Sequence, residues 1–347
     1  MSEGVRCMWM RGGTSKGGFF LASDLPRDAA ARNAWLARAM GSPDSAQTDG
    51  MGGGHPLTSK VAIVEKSARR DVDLDYYFLQ VVPDSGRVAD DQNCGNMLAG
   101  VLPFAIERGL IDAADGLTEA RVLQVNSGAI ANLRVATPGG QLRYGEAVSL
   151  ESGIEVEIEF RDIAGSKCGQ LLPTGKAVQA IDDIACTLID NGMPCVILTA
   201  AALGVTGYED PEELEANDRL RQRIEAVRLE AGVLMGLGDV AEKPVPKIML
   251  VAPPQKDGGL CVRSFIPHRA HRSVGVLAAV TVATAALLPE SVVAPLARVG
   301  SGSRRQMAIE HPSGMMDCIL NLDAAGCVAS AGLVRSARKL MDGTLFG

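Results

Sequence analysis

A short lysine-led, strand-like segment occurs twice in this chain, and no other feature limits its fold so strongly. Ser59-Lys60-Val61-Ala62-Ile63-Val64 is matched by Pro246-Lys247-Ile248-Met249-Leu250-Val251, 187 positions later. A small-residue apolar segment, Met97-Leu98-Ala99-Gly100-Val101, is matched by Val276-Leu277-Ala278-Ala279-Val280, 179 positions later. Apolar strands and alanine-rich helices look alike by chance, so either match alone would mean little. Two matches in the same order at nearly the same spacing indicate an internal duplication. A helix that is apolar all round must be surrounded by other structure. The expected architecture is therefore α+β, with two β-rich domains each wrapped around a central apolar helix. The division is expected at 185/186, giving domains 1–185 and 186–347, with terminal strands free to cross over. The polar N-termini of the two helices, near Cys94 and Ser273, would face a shared cleft holding the active site, because helix N-termini present unpaired N–H groups to an anion.

Only 4% of the 347 residues are aromatic and 39 are glycine, which suits small-residue packing and tight turns better than an aromatic ligand groove. A net charge of −7, without a basic stripe, argues against nucleic acid as a partner. A small anionic substrate stays open, since local Lys, Arg and helix N-termini decide a site. The eight cysteines form no C-x-x-C pair. Several, such as Cys7 and Cys195, lie in apolar runs, as buried thiols do. With no signal-like N-terminal segment, this pattern indicates a reduced, cytoplasmic protein. The longest apolar run, Val274–Leu288, is too short to span a bilayer. No membrane partner is expected, and a homodimer is compatible with the sequence.

Local patterns place strands at Arg6–Arg11, Phe19–Leu21, Lys60–Glu65 and Tyr76–Pro83. They place a helix over Asp28–Met40 and an apolar helix from Met97 to about Arg108, with Gly109 as its C-cap. The strand pattern resumes over Ile184–Thr199, and Pro211–Ala231 reads as an amphipathic helix. Gly41–Leu57 is a loop of a length more often functional than filler.

Asn93-Cys94-Gly95-Asn96 opens the first apolar helix. A thiol at a helix N-terminus is favoured as thiolate and can cycle its proton. Gly95 permits close backbone approach to a ligand, and Asn93 and Asn96 can hydrogen-bond substrate oxygens. A plain helix cap with a packed Cys94 stands beside that reading. Lys60, at a strand start, can serve as a base only if burial or a neighbouring cation such as Lys16 helps it shed its proton. Taken alone it reads as a solvated strand end. Gly12-Gly13-Thr14-Ser15-Lys16-Gly17 lacks the spacing of a phosphate loop, so no nucleotide is implied. Its hydroxyls and lysine (Thr14, Ser15, Lys16) suit a carboxylate; the alternative is a mobile hairpin tip. In Pro267–Ser273, His268 and His271 have no third ligand at metal spacing. An anion clamp by His268, Arg272 and Ser273 competes with a solvated basic loop. His311-Pro312-Ser313-Gly314 is by itself a turn. Neither metal nor cofactor is expected.

Together these segments resemble a known family. N-C-G-N is similar to the M-C-G-N-G segment of diaminopimelate epimerase-like proteins. R-G-G-T-S-K-G, with L-T-S-K-V-A-I, D-Q-N-C-G-N, D-N-G-M-P, S-F-I-P-H-R and H-P-S-G, resembles the family of 2-methylaconitate isomerase and 4-oxalomesaconate tautomerase, from Arg11 to Gly314. T-G-Y-E and G-L-V-R-S-A-R resemble the 4-oxalomesaconate branch. The resemblance implies the duplicated diaminopimelate epimerase-like fold, no cofactor, Lys60 as proton-abstracting base and Cys94 as its acid/base partner. It also implies substrate contacts from Ser59, Gly95, Met193 and Ser313. The epimerases carry a second Cys before the second helix. Here that stretch reads His271-Arg272-Ser273-Val274-Gly275, which disfavours symmetric two-thiol racemisation. Lys plus Cys suits a 1,3-proton transfer between unlike carbons. The implied activity is keto–enol or allylic isomerisation of 4-oxalomesaconate, a small unsaturated tricarboxylate, in gallate- or protocatechuate-type aromatic degradation. The alternatives are 2-methylaconitate cis–trans isomerisation in propionate catabolism and a non-catalytic carboxylate-binding accessory role.

Overall fold

In the computed structural model, which describes residues 4–90, 93–145 and 153–347, each lysine-led segment is a strand inside a sheet. The first compact unit is Met1–Glu159 with Val334–Gly347. Its elements are β1 (Val5–Gly12), β2 (Ser15–Leu21), α1 (Ala29–Met40), β3 (Lys60–Lys66), β4 (Leu74–Val81), β5 (Val88–Ala89), α2 (Gly95–Leu98), α3 (Val101–Glu107), β6 (Gly116–Gln124), β7 (Ala129–Thr137) and β8 (Ile154–Arg161). The second, Phe160–Leu333, holds β9 (Gln179–Ile181), β10 (Ile184–Asp190), β11 (Pro194–Thr199), α4 (Pro211–Ala216), α5 (Asp218–Leu234), β12 (Lys247–Ala252), β13 (Leu260–Phe265), β14 (Ala270–His271), α6 (Val276–Ala285), β15 (Arg304–His311) and β16 (Gly314–Leu322). The long β17 (Val328–Leu345) begins in the second unit and ends in the first.

Pairing carries the duplication further than the sequence match does. β1–β2 is antiparallel, β2–β3 parallel, β3–β4 antiparallel with the short β5 beside β4, β4–β6 parallel and β6–β7 antiparallel. β10–β11, β11–β12, β12–β13 with the short β14, β13–β15 and β15–β16 repeat those orientations one for one. Lys60 opens β3 opposite Gly17, and Lys247 opens β12 opposite Cys195. In the first unit β17 pairs with both β1 and β8, and Arg134 on β7 reaches Glu157 and Glu159 on β8, each at 3.5 Å. The strands of this unit thereby close on themselves.

The expected division at 185/186 is displaced to 159/160. β9 hydrogen-bonds to β10, and Ala164 bridges to Asn191, so the chain beyond β8 is committed to the second unit. The end of β17 is committed to β1 instead.

Successive side chains of a strand point to opposite faces. Val61 and Ile63 on β3 join Trp35, Leu36 and Met40 of α1 in one core. Ala62 lies opposite Phe19, whose ring meets Phe104 of α3 at 5.7 Å. With both faces covered, β3 reads as an unbroken apolar run. The apolar helix expected as one piece over 97–108 is two, α2 and α3, broken at Ala99–Gly100. Pro103 explains the break, since its ring would strike the carbonyl of Ala99 and it has no N–H to donate. Gly109 does take the left-handed conformation (φ +70°) that ends α3. The amphipathic helix expected over 211–231 is likewise split, at Asn217, whose side chain caps α5 by accepting from Leu220 N at 3.0 Å. α6 is buried along most of its length and packs against β10, β11, β15 and β16. Its polar groups are satisfied: Thr281 donates to the Asn191 carbonyl (2.9 Å) and Thr284 accepts from Asn191 Nδ2 (2.8 Å). Among the described residues no helix is long and apolar enough to cross a membrane.

Candidate active site

The first-unit motifs meet because glycine lets backbones touch. A Cβ on Gly17 would stand 2.0 Å from the carbonyl oxygen of Lys60, and one on Gly12 would stand 2.1 Å from that of Asn96. The turn between β1 and β2 therefore lies against both β3 and the start of α2. Arg11 ties its tip by donating to Gly13 O (2.8 Å) and Ser336 Oγ (2.9 Å). Asn96 Nδ2 donates to Thr14 Oγ1 at 3.1 Å and to Ser15 Oγ at 3.4 Å. Lys16 sits on β2 across from Arg11, half-buried.

Lys60 is only 7% exposed, not a solvated strand end. Its Nζ donates to Gln80 Oε1 at 2.7 Å and lies 4.9 Å from the centre of the Phe78 ring. Ser59 is wholly buried. Its hydroxyl donates toward Gln47 Oε1 at 2.5 Å, with the His55 carbonyl 3.0 Å away. That contact braces the long glycine-rich loop against the start of β3.

Cys94 is half-buried and occupies the N-cap position of α2. Its carbonyl accepts from Tyr76 Oη at 3.2 Å. Tyr76 is buried, and burial, followed by the charge at Cys94, pushes its hydroxyl well above the usual range. It stays a neutral donor. Asn93 Nδ2 donates to Ser127 Oγ at 2.5 Å, and Gly95 opens the helix. Asp91 and Gln92 of the same motif lie outside the described residues. A buried amine, a half-buried thiol, two hydroxyls and an amide are thus assembled in one unit. That set can take a proton from carbon and return one without a metal.

In the second unit the two polar turns come together. Ser313 donates through N (3.0 Å) and Oγ (2.6 Å) to the Arg272 carbonyl, and Ser273 Oγ lies 3.5 Å from His311 Nε2. The charged groups beside them are already engaged. The exposed Arg272 guanidinium pairs with Glu212, and His268 Nδ1 lies 3.5 Å from Glu225. The Met193 carbonyl lies 3.2 Å from the Thr281 hydroxyl. Two residues escaped the sequence reading of the site. Gln80 carries no local signal. Lys247 was visible in the repeat as the counterpart of Lys60. Its Nζ lies 3.6 Å from where a Cβ of Gly275 would be, and Gly275 caps α6 as Cys94 caps α2. Burial pulls the Lys247 amine below the usual lysine range, with the Cys195 thiol opposing. Among the described residues no three His, Cys, Asp or Glu side chains stand close enough to hold a metal ion.

A family model described as PrpF protein matches residues 3–346. The chain belongs to the PrpF family. Among its PrpF relatives, the (4E)-oxalomesaconate Delta-isomerase of Novosphingobium sp. is 57% identical over 99% of this chain and 98% of its own length. The 4-oxalomesaconate tautomerase of Pseudomonas putida is 48% identical over 98% of this chain and 95% of its own. The crystal structure of a methylitaconate-delta-isomerase superposes with a TM-score of 0.87 at 30% identity, over 99% of this chain and 95% of that one. The PrpF fold, rich in strands with few helices, is thus the fold of this chain.

Proposed function

We propose that this PrpF protein is an isomerase acting on 4-oxalomesaconate, with Lys60 as the base and Cys94 as the proton donor. The observation that carries the assignment of roles is the buried amine of Lys60, held by a neutral amide in the same unit as a thiol at a helix cap. The two relatives with oxalomesaconate in their names, matched over nearly their whole length, support the substrate.

In 4-oxalomesaconate a CH₂ lies between a keto group and an alkene bearing carboxylates. Lys60 removes one proton from that carbon, and the electron pair spreads into a dienolate. Thr14, Ser15 and Asn96 present the hydroxyl and amide groups that would hold carboxylate or enolate oxygens. A proton delivered by Cys94 to the far end of the dienolate completes an allylic shift; delivery to oxygen gives the enol. The net reaction moves one proton and one double bond, and this scheme needs no cofactor. The setting this fits is gallate- or protocatechuate-type degradation in the cytoplasm. Each half of the molecule is read as an epimerase-like lobe around its own apolar helix.

Proton NMR of 4-oxalomesaconate with enzyme in D₂O tests the roles. Lys60→Met is expected to abolish exchange at the CH₂ and to lower kcat/KM by ~10²-fold or more, an ordinary loss for a general base. Cys94→Ser is expected to leave that exchange running while product formation collapses. Near-normal turnover by Lys60→Met would remove Lys60 from the mechanism.

A further inference from the structure

The Lys60 amine has one hydrogen-bond partner among the described residues, and that partner is itself held by its surroundings. Gln80 faces Lys60 across the β3–β4 pair and is buried. Its Nε2 lies within hydrogen-bond distance of three backbone carbonyls: Pro56 at 3.0 Å, Ser59 at 3.0 Å and Val81 at 3.2 Å. These groups only accept, so the NH₂ end of the amide must face them. Turning the amide over would set Oε1 against three carbonyl oxygens and the NH₂ against the lysine amine. Chemistry alone therefore decides the orientation, and Oε1 is presented to Lys60 Nζ at 2.7 Å.

We propose that Gln80 is the positioning residue for the Lys60 amine: a buried, neutral acceptor that aims the nitrogen and brings no negative charge beside it. This rests on the reading of Lys60 as the base. A neutral amine bonded to Oε1 through one N–H has its lone pair directed away from Gln80, so the bond sets where the lone pair can point. A carboxylate in the same place would aim the nitrogen too, but it would also stabilise the ammonium, the form that cannot accept a proton. The Phe78 ring, 4.9 Å from Nζ, carries no formal charge. The other titratable groups on β3 and on the elements packed about it are Glu65 and Lys66 on β3, Lys16 on β2, Asp75, Tyr76 and Tyr77 on β4, Glu107 on α3, Asp24 in the turn Ala22–Asp24, and Cys94 at the cap of α2. None of them is hydrogen-bonded to Nζ, and the Tyr76 hydroxyl is spent on the Cys94 carbonyl. An amide thus supplies what the reaction needs from this position, direction without charge.

The test compares Gln80→Met and Gln80→Glu with wild type and Lys60→Met, using 4-oxalomesaconate as substrate and thermal melting to confirm folding. Gln80→Met keeps the length and loses the acceptor. It is expected to lower kcat about 30-fold or more with KM within about threefold, as a misaimed base does. Gln80→Glu is expected to move the acid limb of kcat/KM up by at least one pH unit, with activity recovering at high pH. A merely structural role would lower stability in both variants but leave the midpoint of that limb in place. Folded variants with kcat within threefold of wild type and an unmoved acid limb overturn the proposal while Lys60 stands as base. Wild-type turnover in Lys60→Met overturns both. If neither Gln80 variant folds, ¹⁵N-lysine NMR of the wild type decides. A slowly exchanging Nζ–H signal that vanishes in Lys60→Met is expected, and exchange as fast as that of surface lysines refutes a fixed hydrogen bond.

Discussion

Adding one methyl group at Gly17 tests whether the glycine-rich turn matters because it lets β2 approach Lys60. A Cβ there would stand 2.0 Å from Lys60 O, 2.6 Å from Lys60 C and 3.0 Å from Met97 Cε, where ordinary contacts begin at 3.4 Å. The obstructing atoms at the shortest distances are backbone, so no side-chain rotation relieves the clash. β3 must retreat by roughly 1.4 Å at the residue bearing the amine. Overpacking of this kind costs about 1–3 kcal/mol, which lowers Tm by ~2–4 °C per kcal/mol for a chain or domain of this size class. The rate should suffer more than the stability. A displacement of about 1 Å at a reacting group can lower a rate ~10²-fold, and here the Lys60–Gln80 bond of 2.7 Å moves with the backbone. Gly17→Ala is therefore expected to fold, to melt a few degrees lower and to lose about 10²-fold in kcat, read by NMR turnover of 4-oxalomesaconate. Gly109→Ala is the control. It forces an L side chain to φ +70° with nothing within 4 Å, so it should cost about 1 kcal/mol of stability and leave kcat unchanged. A folded Gly17→Ala enzyme within threefold of wild type would refute the argument that this close approach positions the base.

Two further outcomes follow from the structure. Iodoacetamide should label Cys94, which is half-buried, and Cys327, which is exposed. Cys7 and Cys168 are pushed up to about 12 and Cys186 to about 11, burial being the largest cause in each case, so they should react slowly. A tricarboxylate should protect Cys94 alone, and peptide mapping that found the protected label elsewhere would move the site. The second outcome concerns pH. The Arg108 guanidinium, 2.7 Å away, holds the Asp342 carboxyl below its ordinary range. The pair's contribution is therefore full above the unfolded value of about 3.9 and lost as pH falls through the lower folded value. Asp342→Asn should be less stable at pH 7 by about 1 kcal/mol, allowing for partial exposure, and the gap should close between about pH 4 and pH 2. A gap constant over that range would show that the charge pair is not its source.

Cys327 shows where local reading stops. Apolar contexts suggest burial for most of the eight thiols, yet Cys327 sits exposed in the turn before β17. Its neighbours in sequence do not decide its exposure, because the turn lies outside the sheet. Arg272 and His268 make the same point about charge. As sequence they form a basic loop open to an anion; in the fold each meets a glutamate, from α4 or α5, more than forty positions away.

What the sequence determined by itself is whatever depends on near neighbours along the chain. The two Lys-led strands, the apolar helices, the cap at Gly109 and the placement of Cys94 at a helix start all follow from periodicity and capping chemistry within a few residues. The duplication was legible because both copies keep that local chemistry. Even the break between α2 and α3 was written in Pro103. Only the tertiary structure decided the rest. Gln80 meets Lys60 because β3 and β4 pair in that register; a slip of one residue would turn Gln80 to the other face. Ser59 is bound to Gln47 because a long loop folds back, and residues 160–185 belong to the second unit because β9 pairs with β10. Such contacts depend on register and chain reversal, which bring together residues whose own neighbourhoods carry no trace of each other.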